Sequence, residues 1–227
     1  IPADGTIVID VAGQAGVPPT GADAVVLNLT ATESTAPSFV TAWPEGDRPD
    51  TSSINLNSAG ETVANMVIVP IGADGTIRLY ALSSTHALAD VLGYVTDDSA
   101  PSSTAGLFVP ISPTRLFDTR PDEPANGPKG QIAADTTITT QIANVGGIPA
   151  TARGVIMNLT YVSSAPGFVT LWPTGEPQPT TSNINAFTAG DVRPNGAILQ
   201  LGTDGRLDAY ALTPAHLIGD ASGYLLD

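Results

Sequence analysis

Ala24–Thr30 reads AVVLNLT, and Gly154–Thr160 reads GVIMNLT. Each is a short apolar run rich in β-branched residues, too short for a helix and suited to a buried strand. Other pairs recur at nearly the same spacing. Phe39–Pro44 (FVTAWP) matches Phe168–Pro173 (FVTLWP), and Ser53–Asn55 (SIN) matches Asn183–Asn185 (NIN). Thr85–Tyr94 (THALADVLGY) matches Ala215–Tyr224 (AHLIGDASGY). The offset slips by one residue at two loops, where PPTGAD (18–23) faces PATAR (149–153) and just before Phe39 and Phe168. Indels confined to loops are what two copies of one fold show. The chain therefore reads as two homologous tandem modules, 1–98 and 106–227, joined by a linker at 99–105.

Within each module the period is two. Thr6–Val11, Ala24–Thr30, Ser38–Trp43, Val63–Val69, Thr76–Tyr80 and His86–Tyr94 are predicted strands, separated by Gly, Pro, Asp or Asn clusters. Asp4-Gly5, Asp74-Gly75 and Asp204-Gly205 are tight-turn signals. The expected class is all-β, with each module an antiparallel β-sandwich or a barrel-like fold. One piece is unpaired: the arm 107–131, containing TRLFDTR, precedes the second copy and has no counterpart before Ile1. Either the chain was longer before Ile1, or the arm is a clamp between modules.

Composition narrows the function. The 227 residues carry 22 acids against 8 bases, net −14, with Lys129 the one lysine. Such a charge repels nucleic acid and anionic lipid. It is uneven: residues 1–100 hold twelve acids and two arginines, residues 101–227 ten acids and six bases. No run of eighteen apolar residues occurs, so no membrane insertion is expected. Cysteine is absent, which removes disulfide and thiolate chemistry. Ile1 in place of Met suggests a processed form.

The pattern resembles a module repeated in secreted and cell-surface proteins of actinobacteria. The resemblance rests on the Asp118–Arg120 arm motif and the turns at Gly16–Pro18 and Gly147–Pro149. It also rests on Leu27–Thr30 and Met157–Thr160, Trp43–Gly46 and Trp172–Gly175, Ser52–Asn55 and Ser182–Asn185, and the two Tyr-ended final strands. It covers nearly the whole chain and implies an extracellular or cell-surface location. It also implies a cysteine in the WP turn and another in the hairpin. Those positions are Glu45 and Arg78 in the first copy, Thr174 and Asp208 in the second. A Glu45–Arg78 ion pair and a Thr174–Asp208 contact are the expected replacements.

Candidate chemistry is sparse. His86 and His216 occupy equivalent positions, each four residues before an aspartate, Asp90 or Asp220. On a strand these share a face, so each pair could ligate a metal or orient a base. Without a third ligand or a nucleophile-elbow serine, a structural polar pair is the favoured reading. Asn28 and Asn158 start N-x-T sequons inside apolar strands and are expected to be buried amides. Asn55, Asn65, Asn185 and Asn195 are expected to bond turn backbones. Arg115, Asp118 and Arg120 are expected to clasp the arm to its sandwich. Eight of twelve aromatics form matched pairs (Phe39/Phe168, Trp43/Trp172, Tyr80/Tyr210, Tyr94/Tyr224) and read as packing residues. No cofactor is expected; calcium is a minor possibility without EF-hand spacing. The leading expectation is a non-catalytic structural or adhesive protein, a spacer or self-assembling subunit of a surface layer or fibre. Its first strand, with Thr6, Val8 and Asp10, would be an assembly edge. The alternative is a carbohydrate-binding module using Trp43, Trp172, Asn55 and Asn185.

Overall fold

The computed structural model describes residues 1–123 and 125–227. The chain forms two compact units, Ile1–Ser102 and Ser103–Asp227, divided inside the expected 99–105 linker. The first unit holds seven strands: β1 (Gly5–Asp10), β2 (Ala22–Thr32), β3 (Ser38–Trp43), β4 (Ile54–Leu56), β5 (Val63–Pro70), β6 (Thr76–Ala81) and β7 (His86–Thr96). They make two antiparallel sheets, β1-β6-β3-β4 and β5-β2-β7. The second unit holds eight: β8 (Phe108–Asp118), β9 (Thr136–Gln141), β10 (Gly154–Ser163), β11 (Gly167–Pro173), β12 (Ile184–Ala186), β13 (Val192–Gln200), β14 (Arg206–Ala211) and β15 (Ala215–Leu225). Their sheets are β12-β11-β14-β9 and β13-β10-β15-β8. Each unit is a sandwich of two open sheets, not a barrel closed on itself. The single helical element among the described residues is a 3-10 turn at Thr203–Gly205, and no helix is long and apolar enough to cross a membrane.

The duplication holds at the level of strand register. Asn28 faces Asp90, and Asn158 faces Asp220. Phe39 faces Asn55, and Phe168 faces Asn185. Trp43 faces Arg78, and Trp172 faces Asp208. A β-bulge interrupts the ladder at the same point in both copies, at Val26/Leu27 and at Ile156/Met157. Identical register follows from identical patterning, because a one-residue slip would turn every core side chain to the other face.

Alternate residues of β2 and β10 drive the two cores. Val25, Leu27 and Leu29 cluster with Val40, Ile77 and Leu79 from the facing sheet. Val155, Met157, Leu159 and Tyr161 cluster with Val169, Leu171 and Leu207. Turn chemistry carries the chain from one sheet to the other. Asp204 and Gly205 both sit at positive φ (57° and 71°) in the tight turn that leads from β13 into β14. In the first copy the Asp74 carboxylate accepts from the Thr76 amide (3.1 Å) and hydroxyl (2.7 Å).

The arm is a strand. β8 pairs with β15 of its own unit, and Leu116 and Phe117 are buried in that unit's core. Its aromatic rings dictate two glycines on β15. A Cβ at Gly219 would collide with the Phe117 ring, and one at Gly223 with the Phe108 ring. Gly93, the counterpart of Gly223 on β7, has open space around its missing Cβ. Gly223→Ala is therefore expected to destabilise the second unit by about 1–3 kcal/mol through overpacking, while Gly93→Ala leaves the first unit unchanged or slightly more stable. Separate unfolding transitions followed by hydrogen exchange check the contrast.

Candidate functional site

The densest polar cluster of the molecule is where the arm is sewn to β15. Asp118 ends β8, Thr119 follows it, and both are fully buried. Arg120 Nη2 (2.7 Å) and Arg115 Nη1 (3.0 Å) donate to Asp118 Oδ2, and the Arg120 amide and Nε (both 3.0 Å) donate to Oδ1. Arg115 also presents a two-pronged fork to Asp220, Nε to Oδ1 at 2.8 Å and Nη2 to Oδ2 at 3.1 Å. Thr119 Oγ1 accepts from the Leu217 amide (3.0 Å) and shares a hydrogen bond with His216 Nδ1 (3.1 Å). Lys129 Nζ caps the carbonyls of Asp118 (2.8 Å) and Glu123 (2.7 Å). Burial alone would raise the Asp118 carboxyl; the bonds from Arg120 and Arg115 outweigh it and hold it below the usual carboxylate range.

This cluster corrects the expected His–Asp pairs. His216 bonds Thr119, and Asp220 bonds Arg115. In the first unit His86 reaches Glu33 at 3.7 Å, with both side chains three-quarters exposed. Positions i and i+4 of a strand share a face but lie about 13 Å apart, too far for a bond. No hydrogen bond or ion pair reaches the Asp90 side chain among the described residues. Burial alone pushes its carboxyl up.

Two further expectations separate. Arg78 does not pair with Glu45, which is exposed. It donates to Asp74 Oδ2 at 3.0 Å and to the Pro44 carbonyl. The turn that leads into β6 places Asp74 beside the strand that carries Arg78, so the nearer carboxylate takes the arginine. Thr174 Oγ1 does donate to Asp208 Oδ1 (2.9 Å), and Thr139 Oγ1 adds a second bond (2.6 Å).

The tryptophans are not a sugar platform. Trp43 and Trp172 are each 6% exposed, and each Nε1 donates within its own turn, to Gly46 O (3.2 Å) and Glu176 O (3.0 Å). Asn65 and Asn195 donate to the carbonyls of Ser53 and Asn183 (2.8 Å each). Asn185 bonds Ser182 Oγ (3.0 Å), while Asn55 sits exposed on β4. Asn28 is buried, but Asn158 is exposed, against expectation. Alternation turns both amides away from the core, Asn158 between Met157 and Leu159 and Asn28 between Leu27 and Leu29, so strand periodicity does not bury this position and only Asn28 is otherwise covered. Among the described residues no group of three His, Asp or Glu side chains could hold a metal ion.

Some matched roles escaped the sequence reading. Tyr80 and Tyr210 hydroxyls donate to Asp4 and Asp135 (2.7 Å each), pinning β6 and β14 to the turns before β1 and β9. Thr41 and Thr170 donate to the carbonyls of Thr51 and Thr181 (2.6 and 2.7 Å). The signal was present, since Asp4 and Asp135 sit one residue before equivalent strands. At the assembly edge, β1 pairs on one side with β6, and its other side is unpaired among the described residues. Thr6, Val8 and Asp10 alternate outward there, with Val8 59% exposed. No protein-family model matches the chain, and no curated protein is similar to it.

Two substitutions measure the balance of charge. Arg120→Ala is expected to cost the second unit about 1–3 kcal/mol, since it strips bonds from a buried carboxylate. Because the folded pKa of Asp118 is depressed, its contribution is present above the unfolded value and is lost as pH falls through the folded one. Acid should therefore free the β8 amides to exchange before the rest of the unit. Asp90 has the opposite sign: its raised pKa costs stability at neutral pH, and that cost disappears as pH falls through the folded value. Asp90→Asn is expected to raise the first unit's unfolding temperature at pH 7 and not at pH 3, read by calorimetry.

Proposed function

We propose that this chain is a non-catalytic extracellular structural or adhesive protein, a two-module scaffold that acts through its surfaces as a spacer or self-assembling subunit. One observation carries the reading: four pairs of polar side chains written twice in the sequence are spent on holding the fold. The Trp indoles, Asn65 and Asn195, Thr41 and Thr170, and Tyr80 and Tyr210 all bond backbone or turn carboxylates in the same way in each copy. The extracellular setting follows from the resemblance to surface-protein modules. Self-assembly is supported by the unpaired side of β1, which has no lysine or proline to discourage pairing. Carbohydrate binding is the second reading, favoured by a shallow depression where Phe39 lies beside Asp50, Thr51, Ser52 and Asn55.

Light scattering with electron microscopy tests the first reading. Filaments, sheets or discrete oligomers are expected at high concentration, and Val8→Lys is expected to dissolve them; a strictly monomeric protein would sink self-assembly. A glycan array tests the second, which requires saturable binding abolished by Asn55→Ala.

A further inference from the structure

The two units differ at one edge. In the second, β15 is flanked by β10 and β8; in the first, β7 pairs with β2 and its other side is unpaired among the described residues. The consequence shows on the core face. Leu217, Gly219 and Ala221 of β15 are buried, whereas their counterparts on β7 are not: Ala87 and Val91 are half-buried and Ala89 is exposed. Beside that face lies an open cleft of about 470 Å³, lined by Ile9, Val11, Ala15, Leu27, Ala89 and Val91. The second unit fills this seam with its arm. Leu116 packs against Gly146, the counterpart of Ala15, and Phe117 packs against Gly219, the counterpart of Ala89.

We propose that β7 and the adjoining cleft are a seat for an eighth strand, an extended segment of a partner protein that sets an arginine against Asp90 and an aliphatic side chain in the cleft. Three features state the chemistry of the occupant. Asp90 is the counterpart of Asp220, which takes the Arg115 fork, and it lies half-buried with no cation against it among the described residues. Gly93 is the counterpart of Gly223, where the Phe108 ring lies; its own Cβ position is open, so an aromatic ring fits there. Ala89 replaces Gly219, and its methyl occupies space that the Phe117 ring uses in the second unit. The donated strand therefore carries a side chain smaller than Phe at that position. The arm 107–131 is not the occupant, because its strand β8 is engaged on β15 of its own unit. The exposed apolar residues Leu88, Tyr94 and Val95 lie along the same strand, and strand addition to such an edge gains main-chain hydrogen bonds along its length.

The test uses the whole 227-residue chain and synthetic peptides of the arm sequence 107–120, one unaltered and one carrying Phe117→Leu. Binding is followed by calorimetry and amide hydrogen exchange. The Phe117→Leu peptide is expected to bind one to one, more tightly than the unaltered peptide, and to protect amides of His86–Thr96. Arg115→Ala in the peptide, or Asp90→Asn in the protein, is expected to weaken it by about tenfold, and the two losses should not add. The peptide-side substitution keeps the test valid should the protein variant fail to fold. Three outcomes would overturn the proposal: no saturable binding at millimolar peptide, affinity indifferent to Arg115 and Asp90, or new protection on β15 instead of β7. A concentration-dependent dimer that loses β8 protection and gains β7 protection would assign the seat to the arm of a second copy, and would also overturn it.

Discussion

A sandwich of two sheets has to close the seam along its edge strands, and in the second unit that closure hangs on one buried carboxylate. Asp118 is removed from water with two guanidiniums against it. A lone buried carboxylate would carry a desolvation penalty of several kcal/mol, so the three side chains form together or not at all. Their assembly fixes where β8 ends. That in turn places Leu116 and Phe117 in the core and Arg115 over Asp220. The arm's apolar contribution and its ionic anchorage are thus one cooperative feature, and the buried face of β15 depends on it.

The rest of the polar architecture belongs to turns. Side chains that bond a carbonyl ten to twelve residues away, as Thr41, Thr170, Asn65 and Asn195 do, tie a loop to the strand it would otherwise leave. Each such bond contributes roughly 0.5–1.5 kcal/mol net. They also satisfy loop backbone in a chain with little charge and many glycines and prolines. A protein built in this way needs neither disulfides nor helices to order its connections. Thr174 and Asp208 illustrate the point, with a hydroxyl just past β11 meeting a carboxylate on the neighbouring strand β14.

Much of this was legible from residue order alone. The doubling, the strand positions and the linker follow from patterns of period two and from equivalent positions, the arm clasp from the clustered Arg115, Asp118 and Arg120, and the Thr174–Asp208 contact from the cysteine positions that the resemblance implies. What failed has a common cause. Sharing a face is not sharing a contact for His86 with Asp90 and His216 with Asp220, because strand rise separates such residues by about 13 Å. The pairing of Glu45 with Arg78 rests on the cysteine positions that the resemblance implies, while the turn before β6 holds Asp74 closer to the guanidinium. The tryptophans were candidates for a ligand surface because an aromatic in a turn can face either way; only packing shows the indole folded back onto its own loop. The β7 edge is half legible: the arm's lack of a counterpart shows in the repeat, but the cleft beside β7 is a property of four strands brought together.

That edge gathers departures from local rules. Among the described residues, a half-buried carboxylate stands without a cation, a glycine weakens a strand with nothing packed where its side chain would be, and residues patterned for the core are left half-buried or exposed. Each has a cost in isolation: desolvation for Asp90, backbone entropy for Gly93, apolar exposure for Ala89 and Val91. The same three positions in the second unit cost little, because β8 supplies the arginine, the ring and the apolar cover. When local conflicts coincide in space and one added element would relieve them all, the economical physical account is a surface shaped for that element. The substitution of Ala89 for glycine makes the fit selective, since it favours a strand that differs from the arm the chain already carries.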